Sequence, residues 1–172
     1  MGDRPRLRPR PTAVDLVIET AGALALAATI AFLALSWTRL PATLPTHFDF
    51  AGRPNAWGPK ASLLFLPSVA LALYTGLSVL QRFPWVYNYA VEIEAHNAES
   101  QYRLAVRLLR VLKAIIAAAF GWIDCATVRL SLEAAGRGQE AGGGLGPFMV
   151  PAFVMVMLVT VVSYIIASLR RA

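Results

Sequence analysis

The sequence contains few of the residues that carry covalent or metal chemistry. It has one cysteine and two histidines among 172 residues, and only 15% of the residues are charged. Because Cys125 stands alone, an internal disulfide is excluded. The metalloprotease motif HExxH, the redox motif CxxC, the hydrolase motif GxSxG and the Walker phosphate-binding motif are all missing. These absences leave no recognised catalytic signature, and we predict neither a cofactor nor a metal site.

Apolar residues are in large excess and are gathered in long runs. They form 57% of the chain, and the mean hydropathy of +0.56 exceeds that of ordinary soluble domains. A helix of about 20 apolar residues spans a hydrocarbon core of about 30 Å. We therefore predict an all-α integral membrane protein that forms a single domain. Its four transmembrane helices are expected at about residues 13–37, 61–81, 104–132 and 147–169.

Positive charge is distributed unevenly over the segments that flank these runs. The formal net charge is +6, and most of the 16 Lys and Arg residues lie near the N-terminus, around the start of the third helix or at the C-terminus. Cytoplasmic flanks of transmembrane helices carry such an excess. We expect both termini in the cytoplasm, and the bilayer explains the charge without a nucleic acid partner.

The segment LPTHFDFAGRPNAWGPK, residues 44–60, separates the first two apolar runs and is rich in turn-forming residues. We call it the cap. Turn signals at Gly52, Pro54 and Gly58 predict that the cap folds back on itself. With the N-terminus inside, the cap is expected to be extracytoplasmic. Its candidate functional residues are Pro45, His47, Asp49, Gly52, Arg53, Trp57, Gly58 and Lys60.

His47 and Asp49 alternate with Phe48 and Phe50, so an extended backbone would place the two polar side chains on one face. One interpretation is that this pair binds a metal, a proton or a peptide from outside. The other, which we favour, is that both side chains hold the cap together through hydrogen bonds to turn amides. Two candidate ligands are too few for a metal site.

Three charged residues fall well inside the predicted helices. Asp124 is the costliest, because an Asp near the middle of a transmembrane helix costs about 2.5 to 3.5 kcal/mol and requires a partner. Since the third helix runs outward, we expect Asp124 to bind Arg53 or Lys60 and so attach the cap to the bundle. Glu19 and Lys113 lie at similar depths in the inner half, and we expect an ion pair between them rather than a proton path.

The polar run EIEAHNAESQYR, residues 92–103, is expected to begin the third helix on the cytoplasmic side. Along that helix Arg103, Arg107 and Arg110 share one face, which we predict to contact anionic lipid headgroups. The N-terminal arm, residues 1–11, is rich in Arg and Pro. Such an arm is expected to be flexible and to be drawn to the same lipids.

Glu92, His96 and Glu99 would share one face if the polar run were helical, in the manner of a carboxylate and histidine metal site. Because such sites draw on several helices, we interpret the three residues as part of a solvated helix start. The glycine-rich segment GRGQEAGGGLG, residues 136–146, is expected to be a flexible outer linker.

The stretch LPATLPTHFDFAGRPNAWGPK resembles the signature of a bacterial membrane domain of unknown function, found in the N-terminal part of SdpI-type immunity proteins. The residues that fill the signature are Leu40, Pro41, Leu44, Pro45, His47, Phe48, Asp49, Gly52, Trp57, Gly58 and Lys60. The resemblance extends over about residues 37–132 and implies a location in the bacterial plasma membrane. In SdpI-type proteins further membrane helices follow, and the whole protein protects against a secreted peptide toxin and holds a transcription repressor at the membrane.

Two functional hypotheses follow from these features. The first is a non-enzymatic membrane protein, either a peptide-sensing or immunity-type component or an accessory subunit, with a peptide or another membrane protein as its partner. The alternative is a membrane-embedded, metal-dependent enzyme or an ion-coupled carrier that uses His47, Asp49 and Asp124. Four helices with one firmly internal carboxylate would make a poor transport path, so we favour the first hypothesis.

Overall fold

A computed structural model describes residues 4–137 and 144–171. This part of the chain forms four long helices and one β-hairpin, and the hairpin coincides with the cap. The elements in chain order are α1 (Ala13–Ser36), β1 (Thr43–Phe48), β2 (Pro54–Pro59), α2 (Phe65–Leu80), α3 (Ala98–Arg137) and α4 (Met149–Leu169). The two strands are an addition to the all-α fold that the sequence predicts.

Three segments are long and apolar enough to cross a membrane. They are Ala13–Arg39, Lys60–Leu80 and Met149–Leu169, of which the first two include a short 3₁₀ turn next to α1 and α2. They correspond to three of the four predicted spans, by length and composition. The fourth predicted span lies within α3, a 40-residue helix that carries more charge.

The helix α3 is the centre of the bundle, because it packs against each of the other three helices. Its polar residues can therefore meet protein groups instead of lipid. Opposite it, α1 turns Gly22, Leu26, Thr29 and Leu33 inward, and their spacing of three and four residues marks one helical face. The outward faces of all three apolar helices remain exposed, as expected for surfaces that contact lipid.

The cap is an antiparallel hairpin in which Thr43 pairs with Pro59 and Leu44 with Gly58. It is attached to the bundle by Leu44, which is completely buried among Leu33 of α1, Leu63 before α2 and Val128 of α3. The cap therefore rests on three helices at once.

The connection from α2 to α3 differs from the predicted helix start. The Asn97 side chain accepts a hydrogen bond from Glu94 N (3.0 Å) and donates one to Glu92 O (3.0 Å), so these residues form a turn and α3 begins only at Ala98. Glu92 and His96 precede the helix. They consequently do not form the shared helical face with Glu99 that the sequence suggested.

The N-terminal arm is held against the bundle where the structure describes it. The Arg4 guanidinium donates to Tyr87 O at 2.7 Å, and the Arg8 guanidinium lies 5.8 Å from the ring centroids of Phe83 and Trp85. Burial raises the pKa of Tyr87 to about 12, so its hydroxyl stays protonated and donates to Leu80 O at the end of α2. Arg4 and Arg8 thus have partners in the segment that follows α2, and attraction of the arm to anionic lipid stays a prediction.

The helix α4 is attached to the rest of the bundle by hydrogen bonds near both of its ends. At its C-terminal end Gln101 of α3 donates to Ser168 O at 2.9 Å, and the Ser168 hydroxyl donates to Gln101 Oε1 at 2.7 Å. At its N-terminal end Leu145 N donates to Gly52 O of the cap at 2.8 Å. The predicted flexible linker includes residues 138–143, which lie outside the described residues, but its last residues are attached to the cap.

Candidate functional site

The polar side chains of the cap bind one another across the hairpin. His47 Nδ1 lies 2.5 Å from Asn55 Oδ1, and Asp49 Oδ1 accepts a hydrogen bond from Arg53 N at 2.8 Å. Asp49 thus makes the predicted bond to a turn amide, whereas the partner of His47 is a side chain. Both contacts close the hairpin, as the favoured interpretation expects, and the alternative of a ligand-binding role for this pair is untested.

Two glycines of the cap are required by close packing. Gly52 has a φ of 75°, and a Cβ atom there would lie 2.9 Å from Gly146 O. A Cβ atom at Gly58 would lie 2.7 Å from the methyl carbon of Thr46 on the opposite strand. A larger residue at Gly52 would therefore be strained and would push the turn away from the segment before α4, whereas a larger residue at Gly58 would first have to displace the Thr46 side chain.

Lys60 binds the end of α1 and not Asp124. Its Nζ donates to Trp37 O at 2.6 Å and lies 4.7 Å from the centroid of the Trp37 ring. The prediction of a bridge from Asp124 to Arg53 or Lys60 is therefore wrong: no ion pair to Asp124 forms among residues 4–137 and 144–171. The predicted topology placed Asp124, Arg53 and Lys60 at a similar depth in the membrane. Depth alone does not show which helix each side chain faces.

Asp124 is buried on the face of α3 beneath the cap. Its residue surface is only 1% exposed, and Oδ2 has no hydrogen-bond partner in the described part of the chain. A buried carboxylate oxygen without a partner is costly, and such an atom calls for an explanation. Asp124 is one of the two buried carboxylates of α1 and α3, and the other, Asp15, is fully paired.

A cavity of about 300 Å³ lies next to Asp124, and we call it the Asp124 cavity. It is enclosed by β1, by the 3₁₀ turn that precedes α2, by the first turn of α2 and by α3. The lining residues that matter for its chemistry are Thr46, Phe48, Ser62, Phe65, Asp124 and Thr127. A larger cavity of about 530 Å³ between α1 and α2 has no charged lining residue. The Asp124 cavity is therefore the better candidate for specific recognition.

The register of β1 is irregular around Thr46, and only some of the cap residues face the Asp124 cavity. Thr46 and Phe48 line the Asp124 cavity, while His47 and Asp49 do not. His47, Asp49 and Asp124 are thus not gathered into one site. Within residues 4–137 and 144–171 no group of three His, Cys, Asp or Glu side chains is placed to hold a metal ion.

A second polar cluster lies in the half of the bundle that is farther from the cap. Lys113 Nζ donates to Glu19 Oε1 at 2.5 Å and to Ser78 Oγ at 2.6 Å, so the predicted pair of Glu19 and Lys113 is present. The Tyr74 hydroxyl donates to Glu19 O at 2.8 Å. These bonds join α1, α2 and α3 through one buried ammonium group.

The arginines of α3 have partners within the protein. Arg107 Nε donates to Asp15 Oδ1 at 2.8 Å, Arg110 lies 3.5 Å from the same oxygen, and Arg103 binds Glu99 at 2.6 Å. Asp15 also caps α1, because it accepts from Thr12 N at 2.8 Å. The sequence analysis did not predict this link from α1 to α3. The spacing of Asp15 and Glu19, one helical turn apart, is the signal that could have indicated it, because both side chains face α3. Contact of these arginines with anionic lipid stays a prediction.

Comparison with known proteins gives one partial match. Residues 24–71 match a family model described as Domain of unknown function (DUF1648). This segment contains most of α1, the whole cap and the first part of α2, and the matched description names no activity. No curated protein and no solved structure matches the chain. Nothing found here ties the chain to SdpI-type immunity proteins.

Proposed function

We propose that this chain is a non-enzymatic, multi-pass protein of the bacterial plasma membrane that senses a peptide at its extracytoplasmic cap. The observation that carries the proposal is the Asp124 cavity, which lies directly beneath β1 and is lined by residues of the cap and of two helices. A ligand in this cavity would contact the cap and the bundle together. Binding would thus change how the cap rests on the helices.

The exposed side of the cap supports a role in recognition. Phe50 is 94% exposed and Trp57 is 49% exposed, so two large apolar rings face outward from the hairpin. Aromatic side chains at such positions anchor to headgroups or to a bound partner. The matched family segment includes the whole of this hairpin.

The orientation in the membrane is part of the proposal. α3 would form a fourth span at the centre of the bundle, where its charged groups meet α1 and α2 instead of lipid. Both termini would lie in the cytoplasm, since the flanks rich in Arg are then inside. The inner aromatic segment and the N-terminal arm would lie at the cytoplasmic interface.

The enzyme or carrier alternative lacks a supporting observation. His47 and Asp49 are occupied within the hairpin, and neither lines the Asp124 cavity. In the inner half, Glu19 and Lys113 form a bonded cluster with Ser78 and Tyr74. Such a cluster resembles a structural contact more than one step of an ion path.

Reporter fusions test the orientation. An alkaline phosphatase inserted at Asn55 is expected to be active, because the cap would be exported, and a green fluorescent protein inserted there is expected to be dark. Insertions at Ala95 should give the reverse result, since this connection would be cytoplasmic. Phosphatase activity at Ala95 together with its absence at Asn55 would contradict the extracytoplasmic cap.

Photo-crosslinking from the cap tests peptide sensing. We expect a photoreactive phenylalanine analogue at Phe50, in cells exposed to their own culture medium, to capture a peptide that mass spectrometry identifies. The same analogue at Val86, which is exposed at the other end of the bundle, is the control and should not capture it. Capture of an integral membrane protein and no peptide at Phe50 would instead show an accessory subunit and refute the sensing role.

A further inference from the structure

We propose that the Asp124 cavity binds a protonated primary amine, with the Asp124 carboxylate as its counter-ion. The inference rests on the proposed function and deepens it, because it names the chemical group of the ligand that the cavity recognises. A peptide could present that group as its N-terminus or as a lysine side chain.

The first support is that Asp124 forms no ion pair among residues 4–137 and 144–171. Its Oδ2 is buried without a hydrogen-bond partner in the described part of the chain. Two cationic side chains on the neighbouring elements have other partners: Lys60 binds Trp37 O, and the Arg129 guanidinium lies 5.9 Å from the centroid of the Trp122 ring. A carboxylate buried in a membrane protein requires a partner, and the cavity is where an external one can reach it.

The second support is that two hydroxyl groups of the cavity lining, those of Ser62 and Thr127, already donate their protons within the protein. The Ser62 hydroxyl donates its proton to Pro59 O at 2.7 Å, and the Thr127 hydroxyl donates to Ile123 O at 2.9 Å. Each hydroxyl oxygen keeps lone pairs that can accept a hydrogen bond from a ligand. A primary ammonium group has three donors and no acceptor, so it matches a lining composed of a carboxylate and hydroxyl oxygens.

The third support is the size and apolar character of the cavity. Its volume of about 300 Å³ is far larger than a bare metal ion needs, and one carboxylate supplies too few ligands for calcium or magnesium. The rings of Phe48 and Phe65 and the side chain of Leu66 form apolar walls. Such walls suit the carbon chain that carries an amine, and the aromatic rings can also contact its positive charge.

Calorimetry with a small amine tests the inference on the full chain in lipid nanodiscs. We expect butylammonium chloride to bind saturably, and 1-butanol and butyltrimethylammonium to bind much more weakly. The alcohol lacks the charge, and the quaternary ion lacks N–H donors. Asp124→Asn should weaken butylammonium binding about tenfold, because a charge-assisted hydrogen bond is replaced by a neutral one. Asp49→Asn, which changes a carboxylate outside the cavity, should leave the affinity unchanged.

A second variant keeps the test decisive if Asp124→Asn folds poorly. Leu66→Trp retains the carboxylate but fills the cavity, and it should abolish saturable binding while circular dichroism reports intact helices. Equal binding of butylammonium to the wild type and to folded Asp124→Asn would overturn the inference. Equal affinities for butylammonium and 1-butanol in the wild type would do so as well.

Competition by peptides separates this inference from the proposed function. Trialanine with a free N-terminus and Nα-acetyl-lysine amide present the two peptide sources of the amine, and N-acetyltrialanine presents none. We expect at least one of the first two to displace butylammonium and the third to have no effect. If butylammonium binds through Asp124 but neither amine-bearing peptide compound competes, the amine site stands and peptide sensing fails. If butylammonium does not bind while the analogue at Phe50 still captures a peptide, the amine site is refuted and peptide sensing stands.

Discussion

Lys113→Ala is expected to lower the free energy of unfolding by about 1 to 3 kcal/mol, because it removes the hydrogen-bonded cation of the partly buried Glu19 carboxylate. Lys113 is only 1% exposed, and its ammonium group bonds to Glu19 and Ser78. The other cation near Glu19 is Arg110, whose Nε lies 3.6 Å from Oε2, too far for a good hydrogen bond. Reversible unfolding in mixed detergent micelles measures the loss.

Two controls decide whether the loss comes from the unpaired charge. The double variant Glu19→Gln with Lys113→Met removes both charges, and it should recover most of the lost stability, since replacing a whole buried ion pair is often nearly neutral. Arg103→Ala breaks an exposed pair with Glu99 and should change the free energy of unfolding by about 0.5 kcal/mol or less. A Lys113→Ala loss no larger than that of Arg103→Ala would show that the buried pair does not hold the helices together.

Leu44→Ala is expected to detach the cap, at a cost of about 2 to 5 kcal/mol. Leu44 has no exposed surface, and it is the residue of β1 that packs among Leu33, Leu63 and Val128. Its truncation leaves a void where the cap meets three helices. Hydrogen exchange should show faster exchange of the backbone amides of β1 and β2, with little change in the half of α3 that is farther from the cap.

The matched control for this change is Leu35→Ala. Leu35 lies on α1 and is 78% exposed, so its truncation removes the same atoms from a surface that faces outward. Exchange within the cap should then equal that of the wild type. If Leu44→Ala instead speeds exchange equally in the cap and throughout the four helices, the cap does not unfold as a separate unit. The packing of Leu44 would then stabilise the whole fold.

The helices were largely predictable from the sequence, because the thickness of a bilayer determines the length of the apolar runs and charged residues flank them. The predicted bounds of the first and fourth helices agree with α1 and α4 within about two residues, a normal uncertainty at helix ends. The start of α3 was not predictable from the charge pattern. Asn97 forms local hydrogen bonds that compete with a helix, and those bonds delay it to Ala98.

The candidate site was only partly predictable. The position of a residue in the sequence indicates its depth in the membrane, but it does not show which neighbouring element its side chain faces. Glu19 and Lys113 were paired correctly, since similar depth and opposite charge left few other partners. The same reasoning failed for Asp124, because Lys60 at a similar depth turns toward Trp37. Turn residues predicted that the cap folds back, but they could not show that Thr46 and Phe48 would cover a cavity beside Asp124.

The bond from Leu145 to Gly52 has a mechanical consequence. The turn of the cap is joined directly to the segment that leads into α4, while the far end of α4 is bonded to Gln101 of α3. A helix transmits displacement along its axis as a nearly rigid rod, and α4 extends over 21 residues, about 30 Å. A tilt of the cap would therefore strain the contact between Ser168 and Gln101 at the opposite end of the bundle, where Arg171 O also accepts from Gln101.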